Sequence, residues 1–215
     1  MNSKMTGWLF LIAPLITLVF WLVSGMPTDA SDLGVGEIVG KLGKNPDWLK
    51  LSVSLASLGV VGTAIGWASM KGMMSGSNWA YIGGLAILIS VPGQIAEAGL
   101  IAGTGSAGGS AAAAAGAGMA DAAVAAGAVG AALWSASQAV GALSTAVFFL
   151  GIASMGIGMI LQKNVHIISA SSFAIMGILG VAGAAYDYGS LLMAVPYIGM
   201  VLTSVAVGVQ LIRSK

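Results

Sequence analysis

A single ionisable group interrupts the long apolar runs of this 215-residue chain, the carboxyl of Glu97. An acid at membrane depth is a functional candidate by default, because holding a charge away from water is costly. With Trp79 as the start of its run, Glu97 lies 18 residues further on. That is about 27 Å along a helix rising 1.5 Å per residue, near the far interface of a hydrocarbon core about 30 Å thick. Gln94 precedes it by three residues, on nearly the same helix face. Gln138 and Asp187 are expected at comparable depth, and Tyr186 and Tyr188 flank Asp187. Gln94, Glu97, Gln138, Tyr186 and Asp187 therefore form the candidate ligand-binding set. They would line an outward-facing polar pocket suited to a cation, an amine or a proton-coupled step. The same residues also read as an interhelical hydrogen-bond cluster that holds no ligand.

Other chemistries find less material. His166 is the sole histidine and there is no cysteine, so no zinc set can be assembled. His166 follows Lys163 at a span end and reads as a solvated loop residue. Met155 and Met159, spaced i, i+4, would present two thioethers to Cu(I) with Met176 or Met200, but methionine is also an ordinary core filler. No Gly-x-Ser-x-Gly elbow occurs, and no lysine lies mid-span to form a Schiff base. The glycine-rich run 103–109 lacks the Gly-Lys-Ser/Thr ending and βαβ setting of a phosphate loop. The expectation is a protein that is not an enzyme, with no catalytic residues, no metal and no cofactor.

The elements that must position the candidate pocket follow from composition. Hydrophobic types make up 58% of the chain and charged types 7%, against about 25% charged in a soluble domain. A net charge of +1 offers no surface to nucleic acid. Six stretches are long enough to cross a bilayer, at about 7–25, 51–70, 79–103, 133–161, 165–185 and 191–212. They are continuous rather than alternating, which excludes a β-barrel. The predicted fold is all-α: one polytopic transmembrane helical bundle over 1–215, with six spans. The 19-residue run after Lys4 exceeds the usual signal-peptide core of about 7–15 residues. A retained span is therefore preferred to cleavage at Thr28-Asp29-Ala30. A seventh span at 111–132 is disfavoured by Asp121 and by small side chains that gain little from lipid.

Loop charges orient the bundle. With both termini cytoplasmic, Lys4, Lys71, Lys163, Arg213 and Lys215 fall inside with no acid. Lys41, Lys44 and Lys50 lie outside with Asp29, Asp32, Glu37, Asp47, Asp121 and Asp187. Trp8, Trp48, Trp67, Trp79 and Trp134 lie near span ends, as interfacial anchors do. The outer loops are 26–50 and 104–132. In the first, 32–42 reads as a short surface helix, either a lid over the outer mouth or a connector resting on headgroups. The second opens with Gly-Thr-Gly-Ser-Ala-Gly-Gly-Ser, a flexible linker by composition, followed by alanine runs of high helix propensity.

Helices in lipid associate through close backbone approach at small residues. Gly62/Gly66, Gly99/Gly103, Ser154/Gly158, Ala170/Ala174, Gly180/Ala184 and Ser204/Gly208 supply such pairs. Pro92 near mid-membrane, followed by Gly93, predicts a kink in the third span.

A basic N-terminus, a long first outer loop and tight inner turns at Lys71 and Lys163 give this chain its order. The hairpin from Gln138 to Tyr188 carries Val147-Phe148-Phe149-Leu150-Gly151, then Gly156-Ile157-Gly158, an inner turn at Gln162-Lys163-Asn164, and Tyr186-Asp187 at the end of the next span. These features resemble a prokaryotic family of six-span integral membrane proteins of unknown function, although the Ala/Gly-rich outer segment departs from its pattern. The resemblance implies a multi-pass protein of the cytoplasmic membrane and carries no activity. The leading expectation is a bundle that binds a small ligand or a membrane partner, either a second copy or a complex subunit. The alternative is a small transporter or channel using the pocket around Glu97.

Overall fold

The computed structural model describes residues 3–27, 29–74 and 76–213. Thr28 of the Thr28-Asp29-Ala30 segment and the inner cation Lys215 lie outside the described residues. The elements are α1 (Ser3–Val23), α2 (Val35–Leu42), α3 (Pro46–Met73), α4 (Asn78–Gly116), α5 (Ala120–Gln162), α6 (Ile167–Tyr186), a 3-10 turn (Leu191–Met193) and α7 (Ala194–Arg213). No strand occurs among the described residues. All but α2 belong to helices long and apolar enough to cross a membrane, six among the described residues, the last of them joining the 3-10 turn to α7. This is the architecture of a multi-pass membrane protein.

Local chemistry sets the helix ends. Asn45 Oδ1 accepts from the Trp48 N–H at 3.3 Å and Pro46 occupies the first turn of α3, where a missing donor costs nothing. Ser77 caps α4 by accepting from the Ala80 N–H at 3.2 Å. His166 does more than sit in solvent, because its Nδ1 accepts from the Ile168 N–H at 3.4 Å and caps α6. α4 runs as one helix through Pro92.

The spanning helices pack in a closed ring. α1 meets α3, α3 meets α4, and the sequence continues through α5 and α6 to α7, which returns to α1. The last contact is made backbone to backbone. A Cβ on Gly7 would lie 2.7 Å from the Gly208 carbonyl, and one on Gly208 would lie 2.7 Å from the Gly7 carbonyl. The start of α1 and the end of α7 therefore lie at one end of the bundle, called here the terminal end. The opposite end carries α2 and is called the loop end.

Four expectations need correction. The 104–132 segment is not a flexible linker followed by marginal helix. α4 continues through it for 39 residues in all and α5 begins at Ala120 and runs for 43. At 1.5 Å per residue these helices are about 58 and 64 Å long, roughly twice the hydrocarbon thickness. They turn tightly at 117–119, where Gly118 adopts φ +72°, so no seventh span fits in 111–132. The short helix α2 does not rest on headgroups. It buries Ile38, Val39 and Leu42 against α4 and α5, and Ile38 and Leu42 join a cluster with Leu49, Val53, Ala98, Ile101 and Trp134.

Tryptophan placement is the third correction. Trp67 is 0% exposed and Trp134 only 7%. Trp67 stacks edge-on with Phe10 and Phe173, at ring-centroid distances of 4.8 and 4.7 Å, and so anchors the core rather than the interface. The fourth concerns the small pairs. Gly62 lies against α1 and Ala170/Ala174 against Gly156, but Gly99 faces open space.

Candidate functional site

The seam between α4 and α5 positions the site. Gly83 of α4 sits against the Gly151 carbonyl of α5, and Gly93 lies against Ser144. With both backbones this close, Glu97 is carried into the ring rather than out to lipid, and it is 5% exposed. Gly141 on α5 leaves the space it occupies. A Cβ there would fall onto the Glu97 carboxyl and lie 2.6 Å from Cε1 of Tyr188.

Three hydroxyls lead to that carboxyl. The Tyr188 O–H donates to Glu97 Oε1 at 2.6 Å. Each hydroxyl has one proton to give, so Tyr188 must accept from its other neighbour, Thr145, whose Oγ1 is 3.4 Å away. Thr145 then accepts from the Tyr197 O–H at 2.8 Å. With Tyr188 donating to Glu97 and Thr145 donating to Tyr188, the chain runs Tyr197 to Thr145 to Tyr188 to Glu97, linking α7, α5, the loop before α7, and α4. Burial holds the Tyr188 phenol well above the usual tyrosine range, so it stays a donor.

Glu97 borders a cavity of about 260 Å³ at the loop end. Its α4 wall is Gln94, Glu97 and Ile101, all on the loop side of Pro92. α1 contributes Pro14, Thr17, Leu18 and Trp21, and α7 contributes Ala194, Tyr197, Met200 and Val201. Trp134, Gln138 and Phe148 come from α5. Met26, Pro27 and Ala30 of the first loop form a roof, fastened where the Ala30 N–H donates to the Gly189 carbonyl at 3.0 Å. Towards the terminal end the bundle is filled by Phe10, Trp67, Phe173, Met155 and Met159. The two methionines proposed as thioether donors are thus core residues with no exposure.

The structure brings Gln94, Glu97 and Gln138 together on this cavity. It does not bring Tyr186 or Asp187. Tyr186 is 87% exposed, and Asp187 is partly exposed and off the cavity wall. Asp187 ends α6 in extended backbone, φ −156° and ψ 91°, where successive side chains leave in opposite directions. The inward residue is its neighbour Tyr188, and Tyr197, outside the candidate set, also lines the cavity. The signal for Tyr197 was a phenol set in an otherwise apolar span, since a buried Tyr O–H needs a partner. Gln94 Nε2 donates to Ser90 Oγ at 3.3 Å. Among the described residues no three of His, Cys, Asp and Glu gather into a metal-binding group.

No protein-family model, no curated protein and no solved structure matches this chain.

Proposed function

We propose that this protein is a ligand-binding bundle of the cytoplasmic membrane, holding a small molecule in the cavity beside Glu97 and facing the extracytoplasmic side. The observation that carries this reading is the cavity of about 260 Å³ with a buried carboxyl on its wall. Protein interiors are close-packed, so a void of this size lined by convergent polar groups is the default binding-site hypothesis. The orientation is supported by charge: Lys4, Lys71, Lys163 and Arg213 belong to the terminal end, and the acids Asp29, Asp32, Glu37, Asp47, Glu97, Asp121 and Asp187 to the other half.

A carrier or channel would need a route past Pro92 to the terminal end. The packing of Phe10, Trp67 and Phe173 there favours binding over conduction. Pro92 belongs to this reading as a source of local give, because proline has no N–H to donate to the Leu88 carbonyl. Native mass spectrometry of gently extracted protein tests the proposal. Wild type is expected to carry a small molecule that Ala194→Trp, which fills the cavity, does not. Equal and empty spectra for both would remove it.

A further inference from the structure

Glu97 meets the cavity with no basic partner among the described residues. Among the described residues the sole side-chain ion pair joins Lys41 to Glu37, on the exposed face of α2. Among the described residues no Lys, Arg or His lines the cavity. The donor that reaches Glu97 is the Tyr188 hydroxyl, on Oε1. A carboxylate withdrawn from water is costly until a positive charge and hydrogen bonds answer it. Here the described residues supply one neutral donor and no positive charge.

The rest of the lining says what kind of cation fits. Five aromatic side chains border the cavity: Trp21, Trp134, Phe148, Tyr188 and Tyr197. Aromatic faces attract alkylated ammonium groups, tryptophan most strongly. They are poor ligands for a calcium ion, which asks for six to eight oxygens, or for magnesium, which asks for an octahedron. One carboxyl matches one positive charge. A cavity of about 260 Å³ is just below the range of about 300–1,000 Å³ typical of drug-sized ligands, so the occupant is small.

We infer that the cavity binds a small organic monocation, an alkylated amine or quaternary ammonium, with its charge at Glu97 and its alkyl groups among the aromatic side chains. This rests on the ligand-binding reading above and sharpens it.

The probes are choline and its neutral carbon isostere, dimethylbutanol, titrated into the purified full-length chain while tryptophan fluorescence is followed. Trp21 and Trp134 report directly. Saturable binding of choline is expected, at least about tenfold tighter than the isostere. Glu97→Gln keeps an acceptor for Tyr188 and is expected to erase that preference, whereas Glu97→Asp keeps part of it. The ratio of the two probes on wild type decides the matter even if a variant fails to fold. Equal affinity for both probes, abolished for both by Ala194→Trp, would overturn the cation inference and leave the cavity reading standing. Absence of binding by both probes would also overturn it, and the cavity reading would then fall only if wild type carries no small molecule in native mass spectra.

Discussion

At the scale of single residues, the directed hydroxyl chain makes its members unequal. Tyr188 is the donor to a carboxyl, and a hydrogen bond to a charged group is worth about 1.5–3 kcal/mol. Tyr197 starts the chain, and its removal leaves Thr145 still able to donate to Tyr188. Tyr188→Phe is therefore expected to destabilise the protein by about 2 kcal/mol and Tyr197→Phe by about 1 kcal/mol, read by thermal unfolding in detergent. Equal losses would mean that the chain has no polarity. Gly141→Ala inserts a methyl onto the Glu97 carboxyl and should cost about 1–3 kcal/mol, a large effect for one carbon. Glu97, Gln94 and Gln138 were legible in the sequence because a polar side chain in an apolar span at matching depth has few places to go. Tyr188 was not, since spacing cannot tell which of three consecutive residues at a helix end turns inward. The backbone angle at Asp187 decides that.

At the scale of elements, the glycines of 103–109 have opposite meanings in sequence and in structure. In composition they look like a linker, and each costs a helix about 1 kcal/mol against alanine. In the fold they seat α2. A Cβ on Gly105 would lie 3.1 Å from the Leu42 carbonyl, and one on Gly108 would strike the Val39 carbonyl and lie 3.1 Å from Gly43 Cα. Tertiary packing overrides propensity here, and no one-dimensional pattern announces a docking partner more than sixty positions away. Gly127, also helical, has nothing within 4 Å of its Cβ position. The two glycines should thus respond in opposite senses. Gly108→Ala is expected to pry α2 from its seat and hasten tryptic cleavage at Lys41 and Lys44. Gly127→Ala is expected to raise stability by about 0.5–1 kcal/mol and leave cleavage unchanged. Identical cleavage rates for wild type and Gly108→Ala would mean that α2 is held by something other than this contact.

At the scale of the whole molecule, the six spans were readable because lipid imposes a length and a polarity that few other constraints imitate. The shape beyond the bilayer was not, because alanine and glycine are neutral between lipid, water and protein. α4 and α5 outlast the hydrocarbon core by roughly 30 Å, and this projection stands at the same end as the cavity and its roof. In the orientation proposed from the charge asymmetry, that end lies outside. The chain contains no cysteine, so single cysteines can be introduced without background. Val124 on the projecting hairpin is 73% exposed, and Asn164 is exposed in the turn between α5 and α6. In intact cells a membrane-impermeant maleimide is expected to label Val124→Cys at once and Asn164→Cys only after permeabilisation. The opposite pattern would turn the molecule over and point the cavity at the cytoplasm, where a ligand would come from metabolism rather than from the surroundings. Labelling of both from the same side would break the six-span threading itself, since α5 connects those two positions through a single crossing.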